Sequence, residues 1–474
     1  MNMKINRRNF IGTTAAAFAG LCHPALAGLS AAEGVKLAES LFDSPDPAVR
    51  KLAGEVYQQC ILGKVFPPRG CLKHRWIAPG GGYNGQWIWD TMFVVDLLSL
   101  LPDQKPVIRE VFQNFWDFQV RWNQEMPDYA HDMIACMINP DEKNWVQFPA
   151  YSQIPILSWG VERVWLRNGD KELVQQSLGP IERFHDWYWR ERDVNNLGLV
   201  AIGTYHTGAV QDARWETFDY ECNMDDLKLT RHPTRKGVTE GEWYGDICLP
   251  GNSAYLVMAE RCLMRLAELM GDTAMAARRK LRIDKAVAAM RQHMWDDEAG
   301  LFLAVQRDTL KKIRVGTIGS WIPLTAGVPT QDMADRMAKT LQGEGWNTPL
   351  PVPTVDRNDP RWKSNGAWRG DTDAAASARY KFDVKQANLW RGDVWPATNY
   401  QVATGLAAYG HKELAAEIAD KTVANAIKNG ISEHYDSITG KALGVSYLGM
   451  SCSIVTMMLD GLTQQHQLKP RKRL

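Results

Sequence analysis

The densest run of carboxylates among aromatic residues is Arg214-Trp215-Glu216-Thr217-Phe218-Asp219-Tyr220-Glu221-Cys222-Asn223-Met224-Asp225-Asp226. Apolar walls raise a carboxyl pKa and crowded acids raise one another, so such a segment can keep a proton ready for donation near neutral pH. A solvated acidic loop or a cation site explains the same residues equally well. A second cluster, Ile431-Ser432-Glu433-His434-Tyr435-Asp436, follows Gly430. Its isolated Glu433 would suit a general base facing the first cluster; a charge at a helix start or on the surface is the alternative. In Trp390-Arg391-Gly392-Asp393-Val394-Trp395-Pro396-Ala397-Thr398-Asn399-Tyr400, Gly392 permits a tight turn. Trp395 and Asn399 there share a helix face at i,i+4, so an aromatic platform and an amide can converge. Arg391 could hold a carboxylate or a sugar hydroxyl, or could be a buried ion pair beneath core tryptophans. Gln86-Trp87-Ile88-Trp89-Asp90-Thr91-Met92-Phe93 places Asp90 where a helix dipole welcomes its charge, and capping alone would explain it. Trp89 and Phe93, again i,i+4, allow a second aromatic wall.

The elements that must carry these segments are helical. From Leu41 onward apolar helical periods dominate and β-branched alternation is scarce, which predicts a mainly α fold. Trp87 to Leu101, Gln153 to Leu166, Val394 to Leu406 and Ser446 to Leu462 are apolar almost all round and read as helices buried on every side. Pro180 to Trp189, Arg278 to Met294 and Lys412 to Ile427 carry one apolar stripe and charges opposite it. Buried helices alternating with amphipathic ones describe an inner ring wrapped by an outer ring. The longest stretches between helices, 196–250 and 343–392, are rich in Trp, Asp, Arg and Gly, and loops of such length usually build a site. Met294-Trp295-Asp296-Asp297-Glu298-Ala299-Gly300 echoes His434-Tyr435-Asp436-Ser437-Ile438-Thr439-Gly440, each after an amphipathic helix. Repeated helical hairpins would produce the echo, and so would two similar helix endings.

A chain of 474 residues can bury a large core without needing several domains. Its 19 tryptophans exceed what such a core requires, and flat aromatic faces suit the C–H faces of sugars as well as core packing. Residues 1–27 read as an export signal: Lys4, Arg7 and Arg8, a short apolar stretch from Ile11 to Leu21, and Ala25-Leu26-Ala27 as a cleavage site. Arg7-Arg8-Asn9-Phe10-Ile11 has the form of a twin-arginine signal, which implies a bacterial protein, periplasmic or secreted, that folds before it crosses the membrane. Residues 28–474 would then form one domain. Loss of those three cations turns the formal charge of +1 into −2, which favours no nucleic-acid partner, and no later apolar run is of membrane-spanning length. Seven cysteines remain beyond the signal, with no CxxC pair and no metal-ligand spacing.

In order along the chain, the four segments resemble the motifs of the clan of glycoside hydrolase family 63 and the family 37 trehalases. Trp87 to Phe93 matches Trp-x-Trp-Asp-x-x-Phe, and Glu221 to Asp226 matches Glu-Ser-Gly-hydrophobic-Asp-Asp. Trp390 to Tyr400 matches Trp-Arg-Gly-Pro-x-Trp-x-x-x-Asn-Tyr, and Glu433 to Gly440 matches Glu-x-Tyr-Asp-x-x-x-Gly. Tyr151-Ser152-Gln153-Ile154-Pro155 and Leu350-Pro351-Val352-Pro353-Thr354-Val355 are further matches. The resemblance implies an all-α (α/α)6 barrel, a toroid of six helical hairpins with long loops on the active-site face. It implies an inverting hydrolase of a short α-glucoside, with Asp225 as general acid, Asp226 as its rival, and Glu433 as general base, roughly 6.5 to 9.5 Å from the acid. Trp89, Asp90, Phe93, Gln153, Glu221, Arg391, Trp395, Asn399 and Tyr435 would bind the sugar, with no metal or cofactor and no fixed expectation of oligomeric state. The chain departs from the motifs at Cys222-Asn223, at Asp393 in place of Pro, and at Met450 in place of an aromatic after Gly449. These departures bear on substrate more than on fold, and bacterial mannosylglycerate hydrolases are the nearer comparison. An epimerase or polysaccharide lyase on the same barrel, using His206, His434 or Tyr435 for proton transfer, and an inactive sugar-binding protein are the competing expectations.

Overall fold

A helix without a polar side cannot face water, and Ile88–Leu98 has none: every one of its 11 residues is buried, Asp90 and Asp96 included. The computed structural model describes residues 31–126, 128–141, 152–204, 229–231, 243–360, 362–364, 367–368 and 390–471. Its helices are α1 (Ala31–Leu41), α2 (Pro47–Glu55), α3 (Ile88–Leu98), α4 (Lys105–Glu125), α5 (Leu157–Asn168), α6 (Lys171–Arg192) and α7 (Pro250–Met270). They continue as α8 (Thr273–Ala289), α9 (Ile322–Thr325), α10 (Gln331–Leu341), α11 (Pro396–Ala408), α12 (Lys412–Asn429) and α13 (Ser453–Leu459). Helices α3, α5, α7, α9, α11 and α13 touch one another in that order, and the 3-10 turn Gly449–Cys452 ahead of α13 returns to α3 and closes the ring. Outside it, α6 packs on α5 and α7, α8 on α7, and α12 on α11 and α13. Helix α2 reaches α12, and its π-helical continuation Val56–Ile61 packs on Gly449–Cys452. This is the expected (α/α)6 barrel.

Amphipathy sorts the outer helices. In α10 the buried residues are Ala334, Met337, Ala338 and Leu341, an i, i+3, i+4, i+7 stripe that can seal one face and no more. The connections differ at the two rims. Gly169 (φ 67°) ends α5 in the left-handed conformation and Asp170 at once caps α6 by accepting from Leu173 N. Gly271 (φ 81°) and Asp272 repeat the device between α7 and α8. Inner helices thus pass to outer ones through tight turns, while the long crossings run back to the amino ends of the inner helices. Those amino ends define the site face.

Three expectations need correction. The stretch Gln153 to Leu166 is not buried all round: α5 starts only at Leu157, and Leu166 is 65% exposed because its half of the helix lies at the rim. Ser446 to Leu462 is not one helix but a strand end, a 3-10 turn and the short α13. Region 196–250, read as loop, contributes Ala201–Thr204, Leu229–Arg231 and Trp243–Cys248 to a four-stranded sheet with Val305–Gln306. The internal echo is a shared local fold. Trp295–Asp296 pairs with Leu301–Phe302, and Ser432–Tyr435 with Ala442–Ser446. In both hairpins the aspartate carboxylate accepts the amide three residues on, and its carbonyl accepts the amide of a left-handed glycine, Gly300 or Gly440. Among the described residues no helix is long and apolar enough to cross a membrane.

Candidate active site

Glu433 lies in the strand Ser432–Tyr435, which leaves α12 at Gly430 and runs beneath the site face. Its carboxylate is buried at 3% exposure. Tyr83 Oη donates to Oε1 (3.0 Å) and the Val445 amide donates to Oε2 (2.8 Å). Both donors depend on glycines. Gly81 (φ +60°) lies so close to the Val445 side chain that a Cβ would stand 2.7 Å from it, and this close approach to the hairpin sets the turn that leads into Tyr83. At Gly444 (φ +70°) a Cβ would stand 2.5 Å from Glu433 Oε2 and 2.7 Å from His434 Nε2.

Asp90 sits in the first turn of α3 with 6% exposure. Burial, and then the neighbouring Glu433 carboxylate, push its pKa from the ordinary range up to about 7, against the pull of a backbone hydrogen bond. At neutral pH it can therefore donate a hydrogen bond as well as accept one. The helix start itself is fixed by Gln153, whose Oε1 accepts from the Trp89 amide (2.8 Å), while the Gln153 carbonyl accepts from Tyr188.

Beside the two acids stands an aromatic wall. Trp390 stacks on Trp395 (4.1 Å, 8°), Trp395 stacks on His434 (5.0 Å, 19°), and Trp89 leans on both tryptophans at 6.3 and 6.5 Å. Gly392 makes the expected tight turn at φ 134°, its amide held by Thr354 Oγ1 (2.9 Å), and Val394 bridges to Tyr435, which joins the Trp390 segment to the Glu433 strand. Arg391 is buried at 4% exposure within this turn.

The structure thus brings Trp89, Asp90, Gln153, Arg391, Trp395 and Glu433 into one region. Phe93, Asn399 and Tyr435 lie a layer deeper. Phe93 packs edge-on against Trp89 (5.7 Å, 88°) and tilted against Trp159 (5.2 Å, 52°). Asn399 donates to the Pro351 carbonyl (3.2 Å) and Thr422 Oγ1 (2.9 Å). The Tyr435 hydroxyl donates to the Gly430 carbonyl (2.7 Å) and accepts from the Ser432 amide (3.0 Å). Glu221, Asp225 and Asp226, and His206 of the competing reading, lie outside the described residues. Sequence reading passed over Tyr83, whose only signal was the run of three glycines before it. It also left Trp390 out of the wall, and it treated Asp393 as a mere departure although its carboxylate lies 2.8 Å from His434 Nδ1.

A mannosylglycerate hydrolase from Selaginella moellendorffii is 25% identical over 414 residues, covering 78% of this chain and 78% of that one. A mannosylglycerate hydrolase from Thermus thermophilus is 29% identical over 408 residues, covering 77% and 91%. The crystal structure of a GH63 mannosylglycerate hydrolase from Thermus thermophilus in complex with glucose shares the fold, with a TM-score of 0.60 at 22% identity over 85% of this chain and 97% of that one. The family 63 and trehalase-like resemblance holds, and residues 83–451 match the mannosylglycerate hydrolase MGH1-like glycoside hydrolase domain: the chain is a glycosidase belonging to that family.

Proposed function

We propose that the protein hydrolyses mannosylglycerate, or a similarly short α-mannoside of a small acid, with inversion at the anomeric carbon. In place of the generic α-glucoside of the sequence reading, the names of its relatives favour this substrate. Glu433 is the base that takes a proton from the attacking water, and Asp225 is the acid that protonates the leaving oxygen from the opposite face. Trp390 stacks on the sugar, backed by Trp395 and Trp89, and Asp90 with Arg391 bonds its hydroxyls.

The observation that carries this reading is the Glu433 carboxylate itself. It is buried, fixed by two donors from different segments, and set beside an aromatic wall at the amino ends of the inner helices. A surface or capping glutamate needs none of these supports.

The test is kinetic. Glu433→Gln and Asp225→Asn should each lower kcat on mannosylglycerate by roughly 10²- to 10⁴-fold, with Asp226→Asn as the comparison for the acid. Near-wild-type turnover in either variant removes that residue from its role. NMR of the first-formed anomer checks inversion, and a panel of α-glucosides beside mannosylglycerate checks the sugar. An unsaturated product would point to a lyase instead. We further propose export through the twin-arginine route on the strength of Arg7 and Arg8; periplasmic accumulation of the Arg7→Lys, Arg8→Lys double variant would overturn it.

A further inference from the structure

His434 stands next to Glu433 in the chain and is buried at 4% exposure. Its ring cannot swing: Trp395 stacks on one face, and the Asp393 carboxylate stands 2.8 Å from Nδ1. Neither ring nitrogen has a well-formed hydrogen bond among the described residues. A buried polar atom left open is uncommon and asks for a partner.

Gly444 locates the partner. Glu433 Oε2 and His434 Nε2 lie 2.5 and 2.7 Å from one point, the place of a Cβ on Gly444, so they are no farther apart than those two lengths laid end to end. They make no direct hydrogen bond. A single water with bonds of about 2.8 Å on each side spans such a gap. Glu433 has capacity for it, since a carboxylate offers about four acceptor sites and the described donors to it are Tyr83 and the Val445 amide.

We infer that His434, held by Asp393, is a positioning residue for Glu433, carrying one water between its Nε2 and Glu433 Oε2. Asp393 favours the proton on Nδ1, so Nε2 accepts from the water, and the water gives its other hydrogen to Oε2. The carboxylate is thereby turned and held for the attacking water at its remaining lone pairs. This rests on Glu433 as base. Asp393 stands where the family motif has Pro and His434 where it allows any residue, so the device belongs to this chain rather than to the motif.

Two measurements test it. In His434→Phe the ring and its stacking remain but Nε2 is lost; kcat on mannosylglycerate should fall about tenfold to a hundredfold with KM within about threefold, and His434→Gln, which restores an acceptor, should recover part of it. Wild-type kcat in His434→Phe, while Glu433→Gln is inactive, overturns the inference and leaves the base reading standing; an active Glu433→Gln overturns the base reading instead. Independently of turnover, ¹⁵N-histidine NMR of the full chain should show the His434 proton on Nδ1 in the wild type and a changed Nδ1 and Nε2 pattern in Asp393→Asn. Unchanged His434 resonances in that variant overturn the pairing even if the kinetics agree.

Discussion

Asp90 and Glu433 are two acids brought together in a place that neither would choose for stability. Asp90 binds its proton more tightly in the folded chain than in the unfolded, with its pKa raised to about 7 by burial and by Glu433. The folded form therefore holds more protons between about pH 4 and 7, so its stability falls as pH climbs through that window. The span corresponds to on the order of 4 kcal/mol by full ionisation. Asp90→Asn, which cannot ionise, should match the wild type in urea unfolding near pH 3.5 and exceed it by a few kcal/mol at pH 8. Parallel curves for the two proteins would show that Asp90 titrates normally. The acid that strains the fold is the one whose proton suits it to bond sugar hydroxyls, an arrangement common at active sites.

At the level of elements, the site depends on a joint that the sequence displayed without revealing its use. The i,i+4 spacing of Trp395 and Asn399 was legible, and both belong to the start of α11, but spacing cannot say which partner an amide will find. Asn399 ties α11 to Pro351 and to Thr422 of α12. The next residue, Val352, takes φ 58°, a costly conformation for a β-branched side chain, which its surroundings must hold. Asn399→Ala leaves the Pro351 carbonyl buried without its donor and should cost about 1–3 kcal/mol in denaturant unfolding; a loss below about 0.5 kcal/mol would mean that the joint is idle. Helix positions were readable where a 3.6-residue period persists over many turns, as in α8 and α12. Pairs such as Trp295–Asp296 with Leu301–Phe302 were not, since strands of two residues show no period; only the echo with residues 434–440 hinted at them. Tyr83 was hidden because its target lies 350 residues away, and Leu166 was misplaced because composition does not say where a rim cuts a helix.

In the molecule as a whole, the ring is pinned deeper than the site. Asp96, about 9 Å along α3 from Asp90, is 1% exposed and pairs with Arg163 and Arg167 of α5 at 3.0 Å each. Both arginines also reach Asp460 at the end of α13 (2.8 and 2.7 Å), which accepts from Tyr400 of α11 (2.8 Å). Burial alone would raise the Asp96 pKa, but the two guanidinium groups overcome it and hold the carboxyl below its ordinary range. Four of the six inner helices meet there. Asp96→Ala leaves two largely buried guanidinium groups sharing Asp460 alone and should lower unfolding free energy by about 2–4 kcal/mol; a loss under 1 kcal/mol would show that the ring closes without this network. Barrel class was open to sequence reading because burial alternates along the chain, whereas this network was not, since its members come from four separate segments. The unequal rims have a practical consequence. Where Gly169-Asp170 and Gly271-Asp272 make the corners, an added residue would twist one helix against the next, whereas the connections on the other side are tens of residues long. Segments exchanged there between family members could re-tune what the enzyme consumes without asking the scaffold to be solved anew.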